Sequence, residues 1–270
     1  MAEVRIAIAG AAGRMGRENI AAVLETEGAR LVGAIEKEGS PDLGQDAGRI
    51  AGGSKVGVTL TANAEHALAE ADVLIDFTKP DTSVALSELA IEKGVAHIVG
   101  TTGCTDEDEA QFRAAGDKIR VVRASNFSLG VNLLASLVRR AAAALDESFD
   151  IEVLEMHHNR KVDAPSGTAL MLGRAAARGR DIEFKSNAVL AREGITGQRK
   201  KGSIGFAALR GGNMAGDHTV MFISDHERIE LSHHADDRGL FAAGALRAAL
   251  WVVEQPIGFY SMADVLGLKD

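Results

Sequence analysis

Residues 4–16 read VRIAIAGAAGRMG, an apolar run followed by glycines at Gly10, Gly13 and Gly16. Glycines so placed permit a tight turn and let the backbone approach a pyrophosphate, which then rests on the N-terminus of the next helix. The Gly-x-x-Gly-x-x-Gly spacing varies the usual Gly-x-Gly-x-x-Gly, so the flanking sequence has to carry the reading. A helix is expected from Arg14 through Glu25, with Met15, Ile20, Val23 and Leu24 on its buried side. A second apolar run then ends at Glu36, about twenty residues beyond the last glycine, where such units hold a ribose diol. Strand, glycine turn, helix, strand and acid in that order predict a Rossmann-type dinucleotide-binding unit.

The pattern continues outward. Strands are expected at 4–9, 29–36, near 55–60, 73–77, 96–100 and 119–123, with helices at 14–26, 64–70, 81–93 and 106–115. Alternation of this kind builds a parallel sheet with right-handed crossovers, so the fold class is α/β. The link 38–54 is Gly-rich without periodicity and reads as a mobile or irregular loop. Loops after the carboxyl ends of the strands would line a cofactor crevice. These hold Gly10, Ala11, Ala12, Gly13, Arg14 and Met15; Glu36 and Lys37; residues 77–80; Gly100, Thr101 and Thr102; and Ala124, Ser125, Asn126 and Phe127.

Beyond Phe127 the grammar changes. A helix over 130–145 leads to a strand at 149–156, a charged loop and a helix at 167–178. An irregular charged segment, 178–202, precedes strands at 203–209, 217–224 and 227–233, read as antiparallel neighbours in an α+β unit. A final helix at 240–253 stops before Pro256.

Chemistry concentrates in residues 157–168, HHNRKVDAPSGT. His157, His158 and Lys161 can move protons near neutral pH. Pro165 and Ser166 set a helix start, which offers the Gly167 and Thr168 N–H groups, with the Thr168 hydroxyl, to a carboxylate. Adjacent strand residues face opposite sides, so both imidazoles serve one site only if the strand stops near Met156; His157 onward is therefore read as loop.

Composition narrows the function classes. A net charge of −8 without a basic run argues against nucleic acid; 199–201 (Arg-Lys-Lys) is the one basic cluster. No apolar stretch reaches membrane-spanning length and no signal peptide precedes the first strand. A single cysteine, Cys104, excludes an internal disulfide, and the expected setting is the cytoplasm. Cys104 is read as a small side chain in a tight turn rather than a thioester-forming nucleophile, since no His stands near it. His157, His158, His218, His233 and His234, with Asp163 and Asp236, match no compact ligand spacing, so no metal is expected.

The whole chain resembles the bacterial 4-hydroxy-tetrahydrodipicolinate (dihydrodipicolinate) reductase family. The likeness rests on EMHHNRKVDAPSGTAL (155–170), GAAGRMG (10–16), VGTTG (99–103), SNFSLGVN (125–132) and IGFAALRGG (204–212). It implies a dinucleotide-binding domain of residues 1–128 and 239–270, to which the C-terminal helix returns, and a substrate and tetramerisation domain of residues 129–238. It implies reduction of a small cyclic dicarboxylate imine by NADH or NADPH in lysine and diaminopimelate biosynthesis, by a homotetramer. His157 would be the acid/base and Lys161 a proton donor, with His158, Gly167 and Thr168 on substrate carboxylate. The segments 10–15, 100–102 and 124–127 would touch the cofactor, with Glu36 at the adenosine ribose and Lys37, an Arg in some relatives, beside it. Two readings stay open beside this one. The 78–80 element, Thr-Lys-Pro, also suits a two-domain sugar-type dehydrogenase, and a Rossmann unit alone suits a non-enzymatic NAD(P)-sensing protein.

Overall fold

The computed structural model describes residues 3–268. Strand β1 (Val4–Ala9) sits inside a sheet because its run is apolar on both faces; Ile6, Ala7, Ile8 and Ala9 are all buried. In chain order follow α1 (Arg14–Glu25), β2 (Ala29–Ile35), α2 (Ala47–Ile50), β3 (Leu60–Thr61), α3 (Ala64–Leu68) and β4 (Val73–Asp76). Next come α4 (Pro80–Lys93), β5 (Ala96–Val99), α5 (Asp106–Ala115) and β6 (Arg120–Arg123). A second stretch comprises α6 (Leu129–Ala144), β7 (Asp150–His157), α7 (Gly167–Gly179), α8 (Phe184–Asn187), β8 (Ala188–Val189), β9 (Ile204–Arg210), β10 (Gly216–Ile223) and β11 (Arg228–Ala235). The chain ends with α9 (Gly239–Val252), β12 (Gly258–Tyr260) and α10 (Met262–Val265). Two compact units result: one runs to Leu129 and resumes at Arg238, and the other is Gly130–Asp237.

The first unit is the expected α/β doubly wound fold. Its seven strands pair in the order β12-β6-β5-β4-β1-β2-β3, every pair parallel. One apolar cluster beneath α1 and α9 and another beneath α4 and α5 cover its two faces. Helix α1 departs from expectation in detail. Leu24 is exposed, whereas Gly16 and Asn19 join Ile20 and Val23 on the buried side. A Cβ on Gly16 would lie 2.1 Å from the Gly10 carbonyl oxygen, so the helix seats against the turn only with glycine there. Helix α9 packs on the same side of the sheet, where Gly244 meets the loop after β6; a Cβ there would lie 1.7 Å from the Phe127 carbonyl oxygen.

The link 38–54 is not a loose loop. Asp46 is buried, caps α2 and accepts hydrogen bonds from the backbone N–H groups of Gly48, Arg49, Val56 and Gly57. Order held by one carboxylate leaves no apolar periodicity to read. Likewise β12 and α10 are too short to register as periodic elements, although β12 forms the edge beside β6.

The second unit corrects two expectations. Its five-stranded sheet runs β11-β10-β7-β9-β8. β10 and β11 are antiparallel neighbours, but β9 pairs with β7 in parallel, and β7 separates β9 from β10. The glycines at 211–212 therefore belong to a crossing over the end of β7 rather than a hairpin. The Gly211 N–H donates to His157 O at 3.0 Å, and the N–H groups of His158 and Asn159 donate to Met214 O and Gly212 O. The second correction is that β7 continues through His157, which is buried rather than in a loop. The inward faces of β7, β9 and β10 pack Ile151, Val153, Ile204, Phe206, Val220 and Phe222 against α6 and α7. Among the described residues no helix is long and apolar enough to cross a membrane.

Candidate active site

In the first unit, the candidate cofactor residues stand at the carboxyl ends of the parallel strands. Gly10 follows β1 with φ +65°, a left-handed conformation suited to glycine. Gly13 occupies the N-cap of α1 and offers no side-chain acceptor to the helix start, leaving first-turn N–H groups for an anion. Ala11 is buried, while Arg14 and Met15 open the helix. Glu36 follows β2 directly; its Oε2 accepts from the Ala12 N–H at 2.9 Å and its Oε1 from the Lys37 N–H at 3.0 Å. The acid at the end of β2 thus braces the glycine turn. These residues fit a dinucleotide: a Cβ on Gly13 would close to 3.0 Å from Gly10 O, filling the cradle.

The remaining crevice loops rest on a buried polar network that sequence reasoning missed. Asp76, at the end of β4, accepts from the Thr78 N–H and hydroxyl at 2.8 and 2.6 Å and lies 3.3 Å from His97 Nε2. Ser87 contacts His97 Nδ1 at 2.8 Å, and Ser83 contacts the Thr101 hydroxyl at 2.6 Å. Thr101 is buried, whereas Gly100 lies against the Phe77 ring and Thr102 is exposed. After β6, Ala124, Ser125 and Asn126 lead to buried Phe127, whose ring meets Phe77 at 5.4 Å between centroids. The Asn126 Oδ1 accepts from the Ser128 N–H at 2.8 Å. Cys104 is half-buried; burial pushes its thiol pKa up, which disfavours a thiolate nucleophile.

In the second unit, His157, His158, Lys161, Gly167 and Thr168 gather at the end of β7 and the start of α7. His158 leaves the strand and its Nδ1 accepts from the Arg160 N–H at 3.2 Å. The Lys161 N–H donates to His158 O at 3.1 Å, folding the loop back on itself. The Lys161 ammonium holds both oxygens of Asp163 at 2.7 and 2.8 Å, and this pairing lowers the Asp163 pKa. Ser166 caps α7 by accepting from the Ala169 N–H at 3.1 Å, so Gly167 and Thr168 form its first turn. A Cβ on Gly167 would meet nothing within 4 Å, so that position faces open space.

Glu155 and Arg210 were given no part in the sequence reading, and Ser166 and His218 take on contacts it did not foresee. Glu155 is buried below His157, and Arg210 at the end of β9 grips it with two bonds of 2.7 and 2.8 Å. Burial would raise the Glu155 pKa, but Arg210 and His157 outweigh it and hold the carboxyl below its usual value. Ser166, read only as a helix start, also meets His218 Nε2 at 3.0 Å. Burial, with His157 nearby, drives the His218 pKa down to about 4, leaving that ring uncharged at neutral pH. Among the described residues no three His, Cys, Asp or Glu side chains converge as a metal site.

A parallel Rossmann-type sheet with a glycine turn, in a chain whose second unit carries His and Lys side chains beside a helix N-terminus, is the make-up of a two-unit nicotinamide-dependent oxidoreductase. The family model "Dihydrodipicolinate reductase, N-terminus" matches residues 4–127, and "Dihydrodipicolinate reductase, C-terminus" matches residues 130–266. The chain belongs to the dihydrodipicolinate reductase family. It is 53% identical over 270 residues to the 4-hydroxy-tetrahydrodipicolinate reductase of Rhodopseudomonas palustris (strain BisB18), covering 100% of both chains. It is 53% identical over 265 residues to that of Brucella abortus (strain 2308), covering 98% of this chain and 99% of the relative. A solved structure, the dipicolinate-bound dihydrodipicolinate reductase from Paenisporosarcina sp. TG-14, shares the fold at TM-score 0.77 and 24% identity, covering 97% and 98% of the two chains.

Proposed function

We propose that this chain reduces 4-hydroxy-tetrahydrodipicolinate, by way of dihydrodipicolinate, to tetrahydrodipicolinate in lysine and diaminopimelate biosynthesis. The observation that carries this reading is the gathering of His157, Lys161 and the first turn of α7 at the end of β7, in a chain that also holds a dinucleotide cradle. The residues 1–128 with 239–270 serve the cofactor, and 129–238 the substrate. Gly10, Ala11, Ala12, Gly13, Arg14 and Met15 hold the pyrophosphate, and Glu36 the adenosine ribose with Lys37 beside it. Gly100, Thr101, Thr102, Ala124, Ser125, Asn126 and Phe127 complete the crevice.

NADH or NADPH, when bound, supplies the hydride. Hydride addition to a ring carbon conjugated with the imine moves an electron pair onto nitrogen or the neighbouring carbon, which must then accept a proton. Lys161 Nζ donates that proton and attracts the dianionic substrate, and His157 relays or stabilises charge. Gly167 and Thr168 at the helix start, with His158, hold a substrate carboxylate. Asp163 holds the Lys161 ammonium at 2.7 Å until substrate arrives.

The reading extends to a cytoplasmic homotetramer assembled through the second unit. Support comes from the outward sheet face, where Leu154, Met156 and Met221 are only half-buried and Leu209 is 49% exposed. The test is loss of nicotinamide fluorescence when the cyclic imine is generated in situ from pyruvate and aspartate semialdehyde by its synthase. Rapid oxidation with the imine and none with a sugar is expected; the reverse pattern would overturn the assignment. Light scattering that gives a mass of one 28.3 kDa chain at micromolar concentration would remove the tetramer.

A further inference from the structure

Glu155 is 1% exposed, yet each functional part of the second unit is tied to it. Its Oε2 lies 2.6 Å from His157 Nδ1, and its Oε1 accepts from the Ser166 N–H, at the cap of α7, at 3.0 Å. Arg210, which grips both oxygens, also donates to the Asp163 carbonyl at 2.7 Å, in the loop that carries Lys161. One carboxylate thereby joins the imidazole, the lysine loop and the helix start. The continuation of β7 through His157 makes this possible, because residues two apart on a strand face the same side.

We propose that Glu155 is a positioning residue whose carboxylate fixes the His157 ring in its Nδ1–H tautomer and leaves Nε2 for proton transfer with substrate. The inference rests on the reading of His157 as the acid/base group. An ionised carboxylate only accepts hydrogen bonds, so the 2.6 Å contact requires the proton on Nδ1. The Arg210 fork and the Ser166 N–H keep Glu155 ionised within the fold. His218 does not replace it: its ring stands edge-on to His157 at 5.1 Å and its Nε2 is engaged with Ser166. The other edge of the His157 ring lies beside Gly216, where a Cβ would crowd Nε2 at 2.7 Å, so glycine there keeps a side chain off that nitrogen. An anchored acid holding a working imidazole in one tautomer is the logic of hydrolase triads, here in a reductase site.

Nitrogen-15 NMR of the histidine-labelled full chain tests the tautomer without any substitution. Above the titration of the ring, Nδ1 of His157 should carry the proton and Nε2 should not; a proton on Nε2 overturns the proposal. Glu155→Gln should lower kcat roughly 10- to 100-fold, more than it raises KM for the imine, because it removes orientation of a group worth roughly 10²–10⁴ in rate. In a His157→Ala background the same substitution should cost at least several-fold less, the remainder reporting the ties to Arg210 and Ser166, since the two residues share the tautomer function. An undiminished cost in that background would show a merely structural role and overturn the proposal. If His157→Ala alone retains full turnover, the acid/base reading of His157 fails instead, and the tautomer measurement still judges Glu155.

Discussion

Replacing Glu36 with alanine separates the bracing of the glycine turn, which the structure shows, from the ribose contact proposed for the same carboxylate. About four lone-pair sites are available on an ionised carboxylate, and Glu36 spends two of them on the N–H groups of Ala12 and Lys37. The other two suit the diol of an adenosine ribose. A hydrogen bond to a charged acceptor contributes about 1.5–3 kcal/mol. With one such bond taken as the net loss after rehydration, NADH affinity in Glu36→Ala should fall roughly 10- to 100-fold. NADPH carries a 2′-phosphate that Glu36 repels, so relief of repulsion offsets what is lost, and its affinity should change by less than about threefold. The Ala12 bond is a separate effect. Its loss slackens the glycine turn beneath the pyrophosphate and weakens both cofactors alike. The ratio of the two dissociation constants, measured by fluorescence titration at fixed salt, is therefore the diagnostic quantity. Equal losses would refute the ribose role and leave Glu36 as a brace for the loop alone. Lys37→Ala should shift the ratio the other way, more at low ionic strength, because an exposed ammonium acts as a screened point charge.

Lys161→Ala should cut turnover by roughly 10²–10⁴, the range for a general acid, with cofactor affinity unchanged by fluorescence titration; near-normal turnover would remove the proton-donor role. Thr168→Ala should raise the apparent substrate constant more than it lowers kcat, a split that steady-state kinetics reads directly. Gly244→Ala should destabilise the first unit by about 3 kcal/mol or more in denaturant unfolding, because the added methyl would fall 1.7 Å from Phe127 O; an unchanged midpoint would show that α9 yields freely. Asp76 is fully buried, and although burial pushes its pKa up, His97 and the Ser83 and Thr78 hydroxyls outweigh it and hold the pKa below the ordinary carboxylate value. A depressed folded pKa gives stability that is present above the unfolded carboxylate value, about 4, and is lost as pH falls through the folded one. Asp76→Asn should therefore flatten the fall of melting temperature below about pH 4, and an unaltered acid slope would exclude Asp76 as its source.

How far the sequence could be read depended on how local each determinant is. The first unit was legible because buried parallel strands are apolar throughout and their ends are marked by glycine turns, as at β1 and Gly10. The partners of β7 were not legible. Alternation along β9 and β10 states which residues face inward, but neither strand says that β7 lies between them; that pairing is settled by the crossing at 211–214. The candidate site divides the same way. His157, His158, Lys161, Gly167 and Thr168 lie within one loop and helix start, so their association needed no tertiary information. Arg210 joins them from 55 residues beyond Glu155 and had no local signal. Glu155 did have one, an acid two positions before a histidine at the end of an apolar strand. With the strand ended near Met156, that spacing does not place Glu155 and His157 on one strand face. In the structure β7 carries His157 inward onto Glu155, and the chain then turns so that His158 and Lys161 lie in the loop that follows. His157, expected in the loop, is thus a strand residue, buried and held by Glu155.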